Sequence, residues 1–407
     1  MKIAYQKQRR QQGSFMMFAL FLGVILTITL GSYLVMISTQ DRSVVRSEHW
    51  NSTLTLAEAG VEEALAQMNA SPNDFSVNNW GMSGGNYGPV TRILGTGSYG
   101  VGIVPGSIPT IYSTGYVTVP ITGAILSRKV KVTAQTEALI NVPLGAVGNI
   151  NMNGNSVATD SWNSHDPNLS NNGAYTSSKT STNGSVASVQ GIVNIGQHTI
   201  DGNLYLGPTA TYTSGSNQVT GTIYNDYNVQ FPNAVLPTAS WLPAVAVSGA
   251  YDFTVSGNYV VTDSKNITVE PGVTVTLKLT ATSFNPSSIT VNGGLTNSGT
   301  LTMYQVSGTA SMSGNSAPGV TRPQNFYYYG LPGVTSVTLG GNSTFIGVIY
   351  APEASLTLNG GGNANNLEGA AIVNTVTLNG HYDFHYDESL ATNGPSRGFI
   401  ATSWQEL

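Results

Sequence analysis

The stretch HYDFHYDE, late in the chain, places His381, Asp383, His385 and Asp387 at alternate positions with Tyr382, Phe384 and Tyr386 between them. On a strand, alternate side chains share a face, so two imidazoles and two carboxylates line one side about 7 Å apart. Neighbours at that distance can share Zn2+ or another divalent ion, the one cofactor chemistry this sequence suggests. A strand that closes a β-structure with aromatics inward and charges outward has the same pattern, so spacing leaves both readings open. Asp160 and Asp166, within DSWNSHDPN, offer oxygen ligands for Ca2+ but lack EF-hand spacing and read better as turn caps. Arg128, Lys129 and Lys131 form the basic cluster beyond the leader, a phosphate contact or a solvated strand face. The run NFYYYG, with aromatics from Phe326 to Tyr329, is either a sugar- or surface-contacting patch or is buried between strands.

Enzymatic chemistry is poorly supplied. No nucleophile elbow, phosphate loop or HExxH stretch occurs. Glycan cleavage needs clustered acids with a base near the sugar, yet residues 141–407 hold only Lys179, Lys265, Lys278, Arg322 and Arg397 as cations. The expectation is a non-enzymatic protein. That scarcity, with 13 acidic side chains in the same region and a net charge of -5 overall, also argues against nucleic acid as a partner. The chain has no Cys, which removes disulfides and thiolate metal sites.

The elements that position these residues begin with a leader, 1–13, carrying Lys2, Lys7, Arg9 and Arg10 and no acid. Such an end stays in the cytoplasm. Phe15 to Ile37 contains no charge, about the 20 residues a helix needs to cross a bilayer and longer than a signal h-region. Gly23, Thr27 and Gly31 recur every fourth residue, a small-residue stripe that lets another helix pack closely. Helical patterning continues past the bilayer edge. Leu54, Ala57, Val61, Ala64 and Met68 fall on one face and Glu58, Glu62 and Glu63 on others, and Gly60 costs some stability. The spacing predicts one helix over 14–70, about 80 Å long, stopping at Ser71-Pro72.

GSYGVGIVPG, TIYSTGYVTVP and AILSRKVKVTAQT then read as strands of a small sheet, 71–140, packed on the helix's polar half. From 141 to 395 a theme repeats: VTLGG at Val337, LTLNG at Leu356 and VTLNG at Val376, with looser copies in ITVNGG at Ile289 and INMNGN at Ile150. FIGVIYAP from Phe345 and EGAAIV from Glu368 keep step with it. Strand and Asn/Gly corner at about 20 residues per turn suit a parallel β-solenoid, and an antiparallel sandwich is the alternative. Residues 171–184 read as a protruding Ser/Thr/Asn loop, and 396–407 as a C-terminal tail. The fold class is therefore mainly β: a long N-terminal helix, a small antiparallel sheet and a β-solenoid.

Basic leader, Gly13, apolar half-helix and the AEAGVEEAL stretch together resemble the N-terminus of type IV pilin-like proteins, PilX-like minor pilins above all. The resemblance implies cleavage by a prepilin peptidase after Gly13, leaving Ser14 as the new amino terminus. It also implies a helix held in the bacterial inner membrane until other pilins or pseudopilins draw it into a filament, of type IV pilus or type II secretion kind. Ser14 stands where many pilins have Phe, and Phe18 where major pilins carry Glu, which suits a minor or tip subunit. DSWNSHD, FIGVIYAPEASLTLNG and HYDFHYDESL are similar to an uncharacterised domain found behind PilX-like N-termini in bacterial envelope proteins. Those likenesses imply a head displayed at the cell surface, the pilus tip or in the periplasm, but no chemistry for it; adhesion, including to a surface glycan, is the expected work of a head so placed. The alternative is a membrane-anchored β-helical protein that binds or cleaves glycans and joins no filament.

Overall fold

The computed structural model describes residues 11–71, 75–76, 78–120, 123–152, 158–214, 218–313, 320–341, 344–360 and 366–407. Leader residues 1–10, Pro72 and the Asn153-Gly154-Asn155 end of the INMNGN copy lie outside them. The chain divides into two compact units, residues 1–137 with 397–407, and residues 138–396.

In the first unit the predicted helix is continuous, α1 Gln11–Ala70. Its second half is fixed by the expected stripe. Ala57, Val61, Ala64 and Met68 are buried, and Leu54 packs at the margin. Opposite them lies an antiparallel sheet of β1 (Met82–Ser83), β2 (Asn86–Leu94), β3 (Gly97–Val104), β4 (Thr110–Thr118) and β5 (Ile125–Ala138). Tyr99, Val101, Ile103, Ile111, Val130 and Val132 alternate along these strands and face the helix. Gly60 is not merely tolerated. A β-carbon there would collide with the Ser113 side chain and the Tyr99 ring, and one at Gly115 with the backbone of Thr53 and Ala57. Two glycines thus let helix and sheet approach more closely than side chains allow.

The last strand of this sheet was not foreseen. Ser396–Glu406, read from sequence as a tail, extends the sheet beside β5. Arg128 donates two hydrogen bonds of 2.6 Å to the Glu406 carboxylate and lies over the Trp50 ring. The Leu407 amide donates to the Lys129 carbonyl, and the Lys129 ammonium lies over Tyr112. Two members of the basic cluster are therefore engaged within their own unit, for a reason local sequence cannot carry: Glu406 is far away along the chain.

The second unit is a solenoid of parallel strands, so the sandwich alternative falls. The repeats stack as read: Val337, Leu356 and Val376 are register partners, as are Phe345 and Leu367. Their inward Val, Leu and Ile side chains form one core. Stacking order departs from chain order. Asn366–Asn379 pairs on its far side with Leu144–Ala146 and Ile150–Met152, so Val376 meets Ile150. From there coils step outward through 186–200 to 211–224. The opposite end begins at Leu242–Pro243 and Ala250–Phe253 and winds back through 257–313 to 326–387. The unit's first and last coils thus meet in its interior. The copy at Ile289 falls on a separate short sheet with Ala250–Phe253 and Asn266–Val269, outside the column its sequence suggested.

Candidate functional site

The first candidate is the apolar half of α1. Hydropathy averages 2.3 over its best window, none of which is buried, and side chains from Phe15 to Ile37 stand exposed. At Gly23 and Gly31 a β-carbon would meet nothing within 4 Å, and the Thr27 hydroxyl donates to the Gly23 carbonyl at 2.6 Å. Thr27 therefore spends its polarity inside its own helix, as a side chain facing lipid or a packed neighbour must. Gly13 and Ser14 lie within α1 near its start.

The second is the seam where first and last coils join, which brings together two stretches singled out from sequence. Asp383–Asp387 pairs with Ala158–Trp162, His385 opposite Asp160 and Asp387 opposite Trp162. On its other side His385 is opposite Glu368. Three successive coils therefore stack Glu368, His385 and Asp160 in one column. His385 Nδ1 donates to Asp160 Oδ1 at 2.6 Å, and the Tyr175 hydroxyl donates to Asp160 Oδ2 at 2.9 Å. The Tyr175 ring stacks on the imidazole, centroids 3.7 Å apart. Burial lifts the Glu368 carboxyl to about 7; His385 opposes the shift, while Asp160 and Asp387 add to it. Burial, and then the Asp160 carboxylate, raise the Tyr175 phenol well above its ordinary value.

The four predicted metal ligands do not converge. His381 Nε2 pairs with Asp383 Oδ2 at 3.1 Å, and Asp383 Oδ1 accepts the Ala158 amide. His385 is committed to Asp160. Asp387, fully buried, accepts the Ser164 and Ser389 amides at Oδ1. Its Oδ2 has no hydrogen-bond partner, nor has the Trp162 indole nitrogen. Among the described residues no three His, Cys, Asp or Glu side chains are grouped to hold a metal ion. Tyr382, Phe384 and Tyr386 are buried, as the aromatics-in reading requires, but His385 and Asp387 are buried too rather than turned to solvent. The cause is the segment after Trp162, which includes residues 171–184, the stretch expected to protrude. It folds back, with Ser181 bridging Ser161, Lys179 Nζ donating to the Pro167 and Ser170 carbonyls and Tyr175 covering the column. Asp166 caps its own turn, accepting the Asn168 amide.

Sequence reasoning missed Glu368 and Tyr175. A signal existed for Glu368: it is the register partner of Ile346, a carboxylate where the repeat calls for an apolar residue. The column's hydrogen bonds and pairings link the first and last coils of the solenoid.

The aromatic run is also accounted for. Phe326 and Tyr328 point into the core, and the Tyr328 hydroxyl donates to Gln305 at 2.7 Å. Tyr327 and Tyr329 point outward into a cluster with Tyr350, Ile372 and Tyr386, closed by Phe231 and Ala234 of the segment linking the two ends of the solenoid. The Tyr350 hydroxyl donates to the Pro232 carbonyl at 2.6 Å. These rings are partnered within the fold, against the reading of a free sugar-contacting patch.

A family model described as a domain of unknown function, DUF7305, matches residues 247–393. No curated protein matches the chain. Among solved structures, the competence-associated pilin ComZ from Thermus thermophilus is 12% identical with a TM-score of 0.30, over 88% of this chain and 97% of that one. A glycosylated ice-binding protein, LeIBP, from an Arctic yeast is 16% identical with a TM-score of 0.29, over 62% of this chain and 94% of that one. Both TM-scores lie below the range in which whole folds coincide.

Proposed function

We propose that this protein is a non-enzymatic, membrane-anchored envelope protein that works as a minor subunit of a pilin-like filament and displays its solenoid as a head. One observation carries this reading: a single unbroken helix, Gln11–Ala70, is packed on its own sheet over its second half and left bare and uncharged from Phe15 to Ile37. A helix needed only as an anchor has no reason to run rigidly from bilayer into a folded unit. A filament subunit does, because helix–helix packing must fix the position of everything attached to it. The Gly23, Thr27 and Gly31 stripe supplies the close-approach surface. The bilayer is the helix's first environment and sister pilins or pseudopilins its second, with prepilin peptidase acting between Gly13 and Ser14. Phe18, uncharged, removes the need for a partner charge inside lipid.

Mass spectrometry of the mature amino terminus tests the reading. A chain beginning at Ser14 supports it. A chain that keeps residues 1–13, or one cut beyond Ile37 and released, contradicts it.

A further inference from the structure

One outer face of the solenoid is built from small, uncharged, hydrogen-bonding side chains in register. The theme noted at Val337, Leu356 and Val376 sends Val and Leu inward, where they are buried. It therefore sends the alternate residues outward. Ser311, Thr338, Thr357, Thr377, Asn151, Asn194 and Thr213 are successive register partners across seven strands. Two residues earlier a parallel row runs Thr309, Ser336, Ser355 and Thr375, and two later Asn359 and Asn379 are joined by an amide hydrogen bond of 3.1 Å. The row spacing is set by strand geometry, about 4.8 Å from coil to coil and about 7 Å along each strand. None of these positions carries a charge or an aromatic ring. Glu353, in the same strand as Ser355 and Thr357, is the near carboxylate.

We infer that this face is a docking surface for an insoluble, uncharged polysaccharide. Absence of charge fits a neutral partner and gives nothing to a phosphate, an acidic glycan or a membrane headgroup. Rows without rings lack the aromatic platforms that hold a soluble oligosaccharide. Each hydroxyl or amide contact made in exchange for water contributes little alone. Contacts accumulate only when the partner is rigid and repeats at a comparable spacing, so that many form without ordering either side. A crystalline polysaccharide surface has that property, and its hydroxyls both donate and accept, as do Ser, Thr and the Asn amide. The interspersed Asn residues weigh against the other neutral lattice, ice, for which one small side chain repeated without interruption would serve better. This inference concerns the head alone and holds whether or not the helix enters a filament.

The test is sedimentation of the detergent-solubilised full chain with microcrystalline cellulose and with chitin, comparing wild type, Thr357→Arg in the centre of the rows, and Thr290→Arg on the short sheet with Ala250–Phe253. Wild type and T290R are expected to sediment equally with at least one of the two solids, and not to be released by soluble oligosaccharide of the same sugar. T357R, with an unchanged melting temperature, is expected to lose at least about tenfold in affinity. No retention on either solid, retention that T357R leaves intact, or ice shaping by wild type that T357R abolishes would overturn the assignment.

Discussion

Glu368 is a seam residue whose protonation folding changes. Its folded pKa, about 7, lies above the ordinary carboxylate value because burial penalises the charge. The folded state therefore holds a proton that the unfolded chain has already released between about pH 4.5 and 7. Glu368 leaves the head at full stability below that window, and stability falls as pH rises through it. With the residue half-buried, the loss is about 2 kcal/mol. Chemical denaturation from pH 5 to 8 should show the decline, and Glu368→Gln should flatten it while leaving the protein more stable at pH 8. A variant that keeps the wild-type slope would remove Glu368 as its source. His385 and Asp160 stand differently, since each satisfies the other. Asp160→Asn weakens the His385 bond and leaves Tyr175 a poorer acceptor, costing about 1–3 kcal/mol. Hydrogen exchange should quicken first in residues 158–162 and 383–387, the strands this column joins.

Elements behaved according to how local their causes are. The helix was legible because its stripe repeats every three or four residues, and β3 to β5 because their apolar residues alternate between Gly and Pro breaks. The solenoid theme was legible at Val337, Leu356 and Val376, where neighbouring coils are also neighbours in sequence. Its continuation through Ile150 was visible as a motif but not as a position, since the pairing of Val376 with Ile150 spans most of the unit and leaves no periodic trace. The strand Ser396–Glu406 reads as a tail in sequence for the same reason: its partner, β5, lies far back in the chain. The alternation of His381, Asp383, His385 and Asp387 is legible, but the partners of His385, Asp160 and the loop that carries Tyr175, lie far back in the chain. Gly60 gives the sharpest test at this scale. Gly60→Val must displace Ser113 and Tyr99 or push the helix off the sheet, at a cost on the order of 3 kcal/mol. Limited proteolysis within 97–137 should report it, whereas Glu62→Ala, on the exposed face, should change little.

For the whole molecule, the non-sequential stacking explains how a large solenoid is inserted into a small antiparallel sheet. β5 and Ser396–Glu406 are adjacent strands, and the Leu139 amide donates to the Pro395 carbonyl at 2.8 Å where the chain enters and leaves the solenoid. Residues 138–396 are thus an insertion at a hairpin. Entry and exit can be adjacent because the first and last coils meet in the interior of the stack, so both free ends of the solenoid are internal segments of the chain. Replacing 139–395 with a two-residue Asn-Gly turn should leave the helix–sheet unit folded, with its own cooperative melting transition. Loss of that transition would mean the sheet depends on the head.

The central claim is that the bare half of the helix packs against like helices. The chain contains no cysteine, so Thr27→Cys introduces a single thiol on the small-residue stripe. Oxidative cross-linking in cells also expressing pilin-like partners with one cysteine at the corresponding depth reads out packing directly. A disulfide-linked heterodimer is expected that appears only when the filament assembles and is lost with Gly23→Leu or Gly31→Leu. A thiol that stays monomeric in assembling cells, or cross-links equally well without assembly, would contradict it.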